Sequence, residues 1–288
     1  MSMSFRLADL TIFVNFVSMS RLQIVIATYG RRGIESIASL PHPAMDGVEY
    51  IVSWQTGGDD DTIPPALAAR NDFRIFRSAT RGLSINRNLG LSHATAPLVL
   101  LSDDDNDYRP EEISKVMEAA ERHPDTDVFS FRYRSEVNPI EFLPEMADLG
   151  NPPSGYYPIS FLLAFRREAI EKAGIRFNTR FGIGAEFPSG EEDLFLCDCL
   201  RAGLKGLYIP ETVVGHEGTT TSMRDSRKDS FAMTKGAVHA YIHPHTWPLR
   251  MLTHSMREAS GIRGRWRYCR LWIKGAHRHI RIMNGPQS

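Results

Sequence analysis

The amino-acid sequence predicts an α/β protein with a mostly parallel sheet flanked by helices, followed by a basic, helical C-terminal region. Short apolar runs alternate with segments of helical spacing from Leu22 onward, which is typical of strand–helix–strand units. Polar clusters follow several of these runs, as expected where the carboxyl ends of parallel strands face a ligand crevice. After Trp247 the chain carries nine Lys or Arg residues against one acid, Glu258.

The first half of the chain predicts four strands with helices between them. The strands are "LQIVIATYG", "VEYIVSWQ", "FRIFRS" and "PLVLLS". The helices are "IESIASL", "GLSINRNLGLSHA" and a segment from Pro110 to about Glu121. Proline suits the first turn of a helix, and acids suit its positive end. In the second helix, Leu83, Ile85, Leu89 and His93 follow a helical spacing.

The second half is less regular. "DVFSFRYR" and "SFLLAF" predict strands, and "REAIEKAG" and "GEEDLFLCDCLRAG" predict helices. "NPIEFLPEMADLGNPPSGYYP" is rich in proline and glycine, which indicates a long loop or flap. "KGLYIPETVVGHEGTTTS" predicts a short strand, a turn and a polar segment. Its "GTTTS" is a candidate lid over a ligand.

Length and composition indicate a soluble globular protein. The chain has 288 residues, of which 42% are hydrophobic and 24% charged, which is too polar for an integral membrane protein. "LADLTIFVNFV" is far shorter than the roughly 20 residues of a membrane span. We expect residues 1–20 to be an N-terminal extension that is either not native or poorly ordered, residues 21–222 to form the main domain, and residues 223–288 to form a helical C-terminal region.

The three cysteines do not form the framework of a secreted, disulfide-rich protein. Cys197 and Cys199 lie two residues apart in a helical pattern and so point to different faces, and Cys269 is remote. The sequence therefore predicts a reducing, cytoplasmic location.

Three consecutive acids close the fourth predicted strand. In an extended segment Asp103 and Asp105 would project together, while Asp104 points away. A hard cation between the first and third would relieve their repulsion, because Mg²⁺ and Mn²⁺ often use only one or two carboxylates and leave other positions to water and phosphate. The alternative is a solvated turn that caps the next helix.

A second acidic cluster, Glu191, Glu192 and Asp193, begins a later helix. Carboxylates at a helix N-terminus are ordinary stabilising caps, and this explanation suffices for Glu191. A third acid in a row exceeds what capping requires. Asp193 and Glu192 are therefore candidate site residues.

Three segments, "IATYGRR", "GLSINRNLGLSHATAPLVLLSDDDNDYRP" and "GEEDLFLCDCLRAGLKGLYIPETVVGHE", resemble in order and spacing the family 2 glycosyltransferases with the GT-A fold. The resemblance covers roughly residues 21–220. It implies a Rossmann-like sheet, a nucleotide-sugar donor, a divalent metal cofactor (Mn²⁺ or Mg²⁺), and transfer to an acceptor hydroxyl with inversion at the anomeric carbon.

The resemblance also implies roles for individual residues on the donor side. Thr28 and Tyr29 match the loop that touches the nucleotide. Gln55 falls near a position where many members have an aspartate that recognises the nucleobase. Because this chain has glutamine there, the resemblance does not determine which nucleobase the donor carries. Arg87 matches an arginine near the base and diphosphate, and its guanidinium suits phosphate oxygens. Asp104 is expected to hold the ribose or sugar.

Metal and catalytic roles follow from the same resemblance. Asp103 and Asp105 match the D-x-D region, and His216 matches a histidine that binds metal or diphosphate. Asp193 matches the acid that serves as general base, a role this chemistry needs because a sugar hydroxyl is a poor nucleophile until its proton is taken. Glu192 is expected to position the acceptor or donor.

The resemblance favours an acceptor that is a saccharide or lipid-linked saccharide, in bacterial surface polysaccharide biosynthesis. Two alternatives stay open. A nucleotidyltransferase would use the same sheet and aspartates but attack phosphorus, and a non-catalytic nucleotide- or carbohydrate-binding module would hold ligand without turnover.

The basic C-terminal region has three interpretations. Its cations can be solvated helix faces, or "RGRWRYCRLWIKGAHRHIRI" can lie on an anionic membrane surface, since aromatic and aliphatic residues alternate with cations. Nucleic acid is the third possibility, but the sequence contains no known reading module. We favour peripheral contact with the inner face of a membrane.

Overall fold

The computed structural model describes residues 21–58, 60–137, 141–218 and 229–283. The predicted N-terminal extension, the boundary predicted at residue 222 and most of the "GTTTS" segment lie outside these ranges. The strands are β1 (Leu22–Tyr29), β2 (Val48–Gln55), β3 (Phe73–Ser78), β4 (Leu98–Asp103), β5 (Asn106–Asp107), β6 (Val128–Arg134), β7 (Ala147–Asp148), β8 (Leu163–Arg166) and β9 (Gly206–His216).

Helices connect and cover these strands. They are α1 (Gly30–Ser39), α2 (Pro65–Ala68), α3 (Leu83–Ser92), α4 (Pro110–Arg122), α5 (Arg167–Lys172), α6 (Glu191–Arg201), α7 (Asp229–Ile242), α8 (Trp247–Glu258) and α9 (Gly261–Met283), with a 3₁₀ turn at Ser160–Leu162. None of the helices in the described ranges is long and apolar enough to cross a membrane.

The strands form one sheet in the order β3-β2-β1-β4-β8-β6-β9-β5, with β7 beside β9. The β3, β2, β1 and β4 strands run parallel to one another, whereas β8 is antiparallel to both β4 and β6. This is the predicted mostly parallel sheet flanked by helices. The carboxyl ends of β1, β2 and β4 therefore share one edge of the sheet, where ligands collect in such folds.

Alternating residues of β1 fill two separate hydrophobic layers. Ile24 and Ile26 face the layer that contains Ile34 of α1 and Ile113 of α4. Val25 faces the opposite layer, with Phe195 of α6 and Leu91 of α3. A fully buried side chain of this size contributes about 1.5–3 kcal/mol. The two layers hold helices on both faces of the sheet.

Three elements differ from the prediction. Gly206–His216 is one continuous strand, because Pro210 lies in an irregularity of the β6–β9 ladder, between the pairs Ser130–Tyr208 and Arg132–Thr212, where no donor is needed. "SFLLAF" begins as a 3₁₀ turn and becomes a strand only at Leu163. Helix α3 was predicted from the spacing of Leu83, Ile85, Leu89 and His93, but it buries a different and largely polar face, discussed below.

The C-terminal helices pack tightly on one another. A Cβ at Gly236 of α7 would lie 2.0 Å from the backbone oxygen of Trp272, and one at Gly275 of α9 would lie 1.8 Å from that of Met233. These two glycines allow the backbones of α7 and α9 to approach closely. Helix α7 also packs against α6 through Val238 and Leu194. The basic region is thus joined to the sheet domain by buried contacts.

Candidate active site

A cavity of about 960 Å³ opens at the carboxyl ends of β1, β2 and β4, beside the N-terminus of α6. Every residue predicted for the site lines this cavity: Thr28, Tyr29, Gln55, Arg87, Asp103, Asp104, Asp105, Glu192, Asp193 and His216. The acids at the end of β4 and those at the start of α6 therefore share one space. Their individual roles stay predictions.

Asp104 is held in place by β1. The Thr28 hydroxyl donates to Oδ2 of Asp104 over 2.6 Å. Gly33 of α1 covers this pair, since a Cβ there would lie 2.1 Å from Thr28 Oγ1 and 2.4 Å from Asp104 Oδ2. Burial, with smaller contributions from Asp103 and Asp105, raises the pKa of Asp104 to about 6, against the opposing hydrogen bond from Thr28. Asp104 therefore holds its proton more readily than an ordinary aspartate, although it is still mostly ionised at neutral pH.

The predicted alternation of the three aspartates is wrong. β4 ends at Asp103, and Asp104 and Asp105 lie in a turn, so the two-residue period of a strand does not reach them. Asp103 contacts Arg87, Asp104 contacts Thr28, and Asp105 contacts His216. The three carboxylates diverge toward three different elements, which reduces their mutual repulsion.

Arg87 joins the two acidic clusters. Its guanidinium is buried and donates to Asp103 and Glu191, each over 2.8 Å, and to the hydroxyl of Ser160 over 2.7 Å. Burial opposes the charge of Arg87, but the two carboxylates outweigh it and raise its pKa. Its Nε has no partner among the described residues. Arg87 thus lies in the cavity wall as a fixed cation between β4 and α6.

His216 and Asp105 form the second polar pair. Nδ1 of His216 lies 3.3 Å from Oδ1 of Asp105, and its Nε2 is buried without a partner in the described part of the chain. Burial lowers the pKa of His216, but Asp105 raises it by more, so the net shift is upward. β9 places His216 opposite Asn106 of β5.

The donor set at Asp105 fits part of a divalent cation's coordination sphere. Nε2 of His216 and Oδ2 of Asp105 border the same glycine, since a Cβ at Gly218 would lie 3.2 Å and 2.7 Å from them. Within the described ranges, however, no group of three His, Cys, Asp or Glu side chains is arranged to hold a metal. A cation here would need further ligands from water or a bound phosphate, which is common for Mg²⁺.

The start of α6 supplies two carboxyl groups with raised pKa values. Burial, followed by the charge of Glu191, raises the pKa of Asp193 to about 7, and Lys235 opposes this shift. Burial raises the pKa of Glu192 well above its usual value, and one of its carboxyl oxygens is buried without a partner among the described residues. Glu192 therefore holds its proton more readily than an ordinary glutamate, while Asp193 is close to half-ionised at neutral pH.

The side-chain amide of Gln55 has a defined orientation. Its Nε2 donates to the Gly82 carbonyl oxygen over 3.1 Å and to Oγ1 of Thr80 over 3.0 Å. A carbonyl only accepts hydrogen bonds, which fixes the nitrogen on that side. Oε1 is left as a hydrogen-bond acceptor at the cavity wall.

Several cavity residues escaped the sequence analysis. Asn86 of α3 donates to the Thr28 carbonyl over 2.8 Å and accepts from Ser53, so it fixes the end of β1. Phe231, Thr234, Lys235 and Val238 line the cavity from α7. Nothing in the local sequence marks the α7 residues, because long-range packing brings them to the site.

Comparisons with known proteins identify the family and the fold of the chain. The family model described as Glycosyl transferase family 2 matches residues 24–185, which is more than half of the chain. No curated protein matches the sequence. The chain belongs to Glycosyl transferase family 2.

Solved structures show the fold. The crystal structure of S. aureus TarS 1-349 in complex with UDP-GlcNAc superposes with a TM-score of 0.61 at 15% identity, covering 91% of this chain and 81% of that one. TarS 1-349 without a named ligand gives 0.60 at 15%, covering 90% and 91%. A further TarS structure gives 0.56 at 16%, covering 81% of this chain but only 40% of its own length. The fold is the predicted GT-A type.

Proposed function

We propose that this chain transfers a sugar from a nucleotide-diphosphate sugar to a hydroxyl group of a saccharide or lipid-linked saccharide, with inversion at the anomeric carbon. The observation that supports the proposal is the shared cavity, which both Asp105 and Asp193 line. The family membership supports sugar transfer. The structural neighbour TarS was solved with UDP-GlcNAc, which makes a uridine donor the first candidate.

The orientation of Gln55 favours a donor whose nucleobase carries a ring N–H group. The orientation of its amide leaves Oε1 as an acceptor at the cavity wall, as an aspartate carboxylate would be at the same place. Uracil and guanine each present a ring N–H donor to such an acceptor, whereas cytosine presents a ring nitrogen that accepts. Tyr29, which is half exposed at the end of β1, offers a ring face for the base.

Asp193 is proposed as the general base. A base works best when its pKa lies near the operating pH, and that of Asp193 is raised to about 7. As the acceptor hydroxyl oxygen bonds to the anomeric carbon, its proton passes to Asp193 and the bond to the diphosphate oxygen breaks. One displacement of this kind inverts the configuration. Glu192 beside it is proposed to position the acceptor or donor through a hydrogen bond to a sugar hydroxyl.

Asp105 and His216 are proposed to hold Mn²⁺ or Mg²⁺ together with water and the donor's phosphate oxygens, and Asp103 is proposed to contact the same ion through water. Such an ion, when bound, stabilises the charge of the departing diphosphate. Arg87 keeps Asp103 fixed through its hydrogen bond. A role in bacterial surface polysaccharide assembly is part of the same proposal and rests on the family resemblance.

A thermal-shift screen of nucleoside diphosphates and their sugars, with and without Mn²⁺, tests donor binding. A ligand at a hundred times its Kd stabilises the native state by about 2.7 kcal/mol, or about 5–10 °C for a chain of this size. Product analysis separates the two enzyme classes. Release of nucleoside diphosphate supports sugar transfer, and release of pyrophosphate from a nucleoside triphosphate would show a nucleotidyltransferase.

A further inference from the structure

The helices α8 and α9 form a hairpin, the C-terminal hairpin (Trp247–Met283). Their antiparallel arrangement follows from two contacts: the rings of Trp247 and His277 lie 6.2 Å apart, and the Tyr268 hydroxyl donates to Glu258 over 2.9 Å. Only Ala259 and Ser260 separate the two helices. One side of the hairpin is buried, with Met251 in α8 and Trp272 in α9.

Outside this buried side, the hairpin exposes large apolar residues at helical spacing. In α8 these are Leu249, Leu252 and Met256, exposed by 67%, 53% and 63%. In α9 they are Ile262, Trp266 and Ile273, exposed by 76%, 74% and 36%. Residues spaced by three, four or seven positions lie on the same face of a helix. Each helix therefore carries an exposed apolar stripe, and no other described residue covers either stripe.

The stripes lie among cations that have no ion-pair partner in the described ranges: Arg250, Arg257, Arg263, Arg270 and Lys274. Two other cations do have partners, since Arg267 pairs with Asp229 and Arg278 with Glu186. Glu258, the single acid of the hairpin, is engaged by Lys235 and Tyr268. The exposed side is thus both apolar and strongly positive.

We infer that the C-terminal hairpin docks onto an anionic lipid surface, with the apolar stripes entering the interface and the cations contacting lipid phosphates. An interfacial helix combines a basic polar face with Trp, Phe or Leu on the other face. Anionic headgroups supply the negative charge, and the region beneath them accepts the apolar side chains. A lipid surface is the occupant that satisfies both features at once.

Other occupants satisfy only one of the two features. A second copy of the chain would bury the stripes but would oppose like-charged surfaces across the interface. Nucleic acid would neutralise the cations but leave six apolar side chains largely in water. Residues 1–20 of this chain are apolar, yet they carry one cation, Arg6, and one acid, Asp9, and so add no net negative charge.

The hairpin is rigidly connected to the cavity. Helix α9 packs on α7 through the close contacts at Gly236 and Gly275, and α7 lines the cavity with Phe231 and Lys235. Docking would therefore hold the cavity at a fixed orientation relative to the lipid surface. The inference does not depend on the proposed reaction, because lipid binding is measured without substrate.

Co-sedimentation of the full chain with vesicles tests the inference. The vesicles are phosphatidylcholine alone, or an equimolar mixture of phosphatidylcholine and phosphatidylglycerol. We expect binding to the mixture only, weakened by salt. Removing two cations with Arg263→Ala and Arg270→Ala is expected to weaken it about thirtyfold, at roughly 1 kcal/mol per cation. The matched control, Arg74→Ala with Lys172→Ala, changes the net charge equally on exposed sites elsewhere and is expected to keep full binding.

Fluorescence reports the apolar contact directly. Of the four tryptophans, Trp54 and Trp272 are fully buried, Trp247 is partly buried and Trp266 is exposed. Vesicles are therefore expected to shift the emission of Trp266 most strongly to shorter wavelength, and Trp266→Phe is expected to remove most of the shift. Met146→Ser, at an exposed apolar site outside the hairpin, leaves it unchanged. Equal binding to both vesicle types, no binding at low salt, or equal losses in the control would overturn the inference. So would a concentration-dependent dimer that Trp266→Ser abolishes, which would assign the face to a second copy.

Discussion

The substitution Asp193→Asn is expected to stabilise the protein at alkaline pH while abolishing its activity. Burial and the charge of Glu191 raise the pKa of Asp193 from 3.8 to about 7. The unfolded chain ionises this group near its ordinary value, whereas the folded chain keeps it protonated until about pH 7. Between these values the folded state binds more protons than the unfolded state, so stability falls as pH rises.

The size of this effect follows from the shift. About three pKa units at 1.36 kcal/mol each set an upper limit of about 4 kcal/mol. Asp193 is partly exposed and shares its titration with neighbouring carboxylates, so we expect about half of this, or about 2 kcal/mol. For a chain of this length that corresponds to a rise in Tm of about 4–8 °C.

Differential scanning fluorimetry of both proteins from about pH 4 to pH 9 measures the effect. The gain in Tm should be near zero at the acid end, grow through the interval, and level off above about pH 7. Glu118→Gln, on the exposed face of α4, is the control and should show little change at any pH. A gain in Tm that is absent at alkaline pH, or equal at both ends, would refute the reasoning.

Three further outcomes are expected. Arg87→Met leaves Asp103 and Glu191 without their buried partner, so the free energy of unfolding, measured by urea denaturation, should fall by about 3–5 kcal/mol. A loss below about 1 kcal/mol would contradict the conclusion that Arg87 joins the two acidic clusters. Gly33→Ala forces a methyl group between Thr28 and Asp104, so we expect a loss of about 1–3 kcal/mol in the same assay, whereas Gly264→Ala, in open space, should not destabilise. In initial-rate assays, kcat/KM should fall about tenfold per pH unit below about 7, as Asp193 becomes protonated; a flat profile there would argue against it as the base.

Much of the sheet could be predicted because its strands are buried on both faces. β2 has the predicted bounds, and β1 and β4 differ from them by one or two residues. For the segment Gly206–His216 a short strand followed by a turn was predicted, whereas the structure has one continuous strand, β9, that runs through Pro210. The partner strand β6 accommodates it in an irregular ladder, and a long-range pairing of this kind leaves no local signal.

Helix α3 shows the limit of a periodicity argument. Its existence was predicted from the helical spacing of Leu83, Ile85, Leu89 and His93, yet these side chains are only partly buried. The buried face is instead Ser84, Asn86 and Arg87, with Gly90 and Leu91. Polar side chains are buried here because the cavity and β1 supply their hydrogen-bond partners. A rule that equates burial with apolar character fails at such a site.

The sequence predicted which residues line the candidate site better than it predicted how their side chains are arranged. All ten residues predicted from the motifs line one cavity. The predicted directions of the three aspartates were wrong, because β4 ends at Asp103 and the alternation of a strand does not extend to Asp104 and Asp105. Lys235, which opposes the pKa shift of Asp193, lies in α7 beyond the matched segment, residues 24–185. Its role arises only from the packing of α7 on α6.

The acids at the end of β4 are proposed to bind the donor, and Asp193 at the start of α6 is proposed to act as the general base. The variant Asp193→Asn tests this assignment most directly when donor affinity and turnover are measured on the same protein. Calorimetry with UDP-GlcNAc, or with the donor found in the thermal-shift screen, should give an unchanged Kd, because the residues proposed to bind the donor, Asp105 and Gln55, are unaltered. Sugar transfer should fall by about 10²–10⁴-fold, the usual contribution of a general base. Transfer at the original rate, or donor affinity lost together with turnover, would contradict the account.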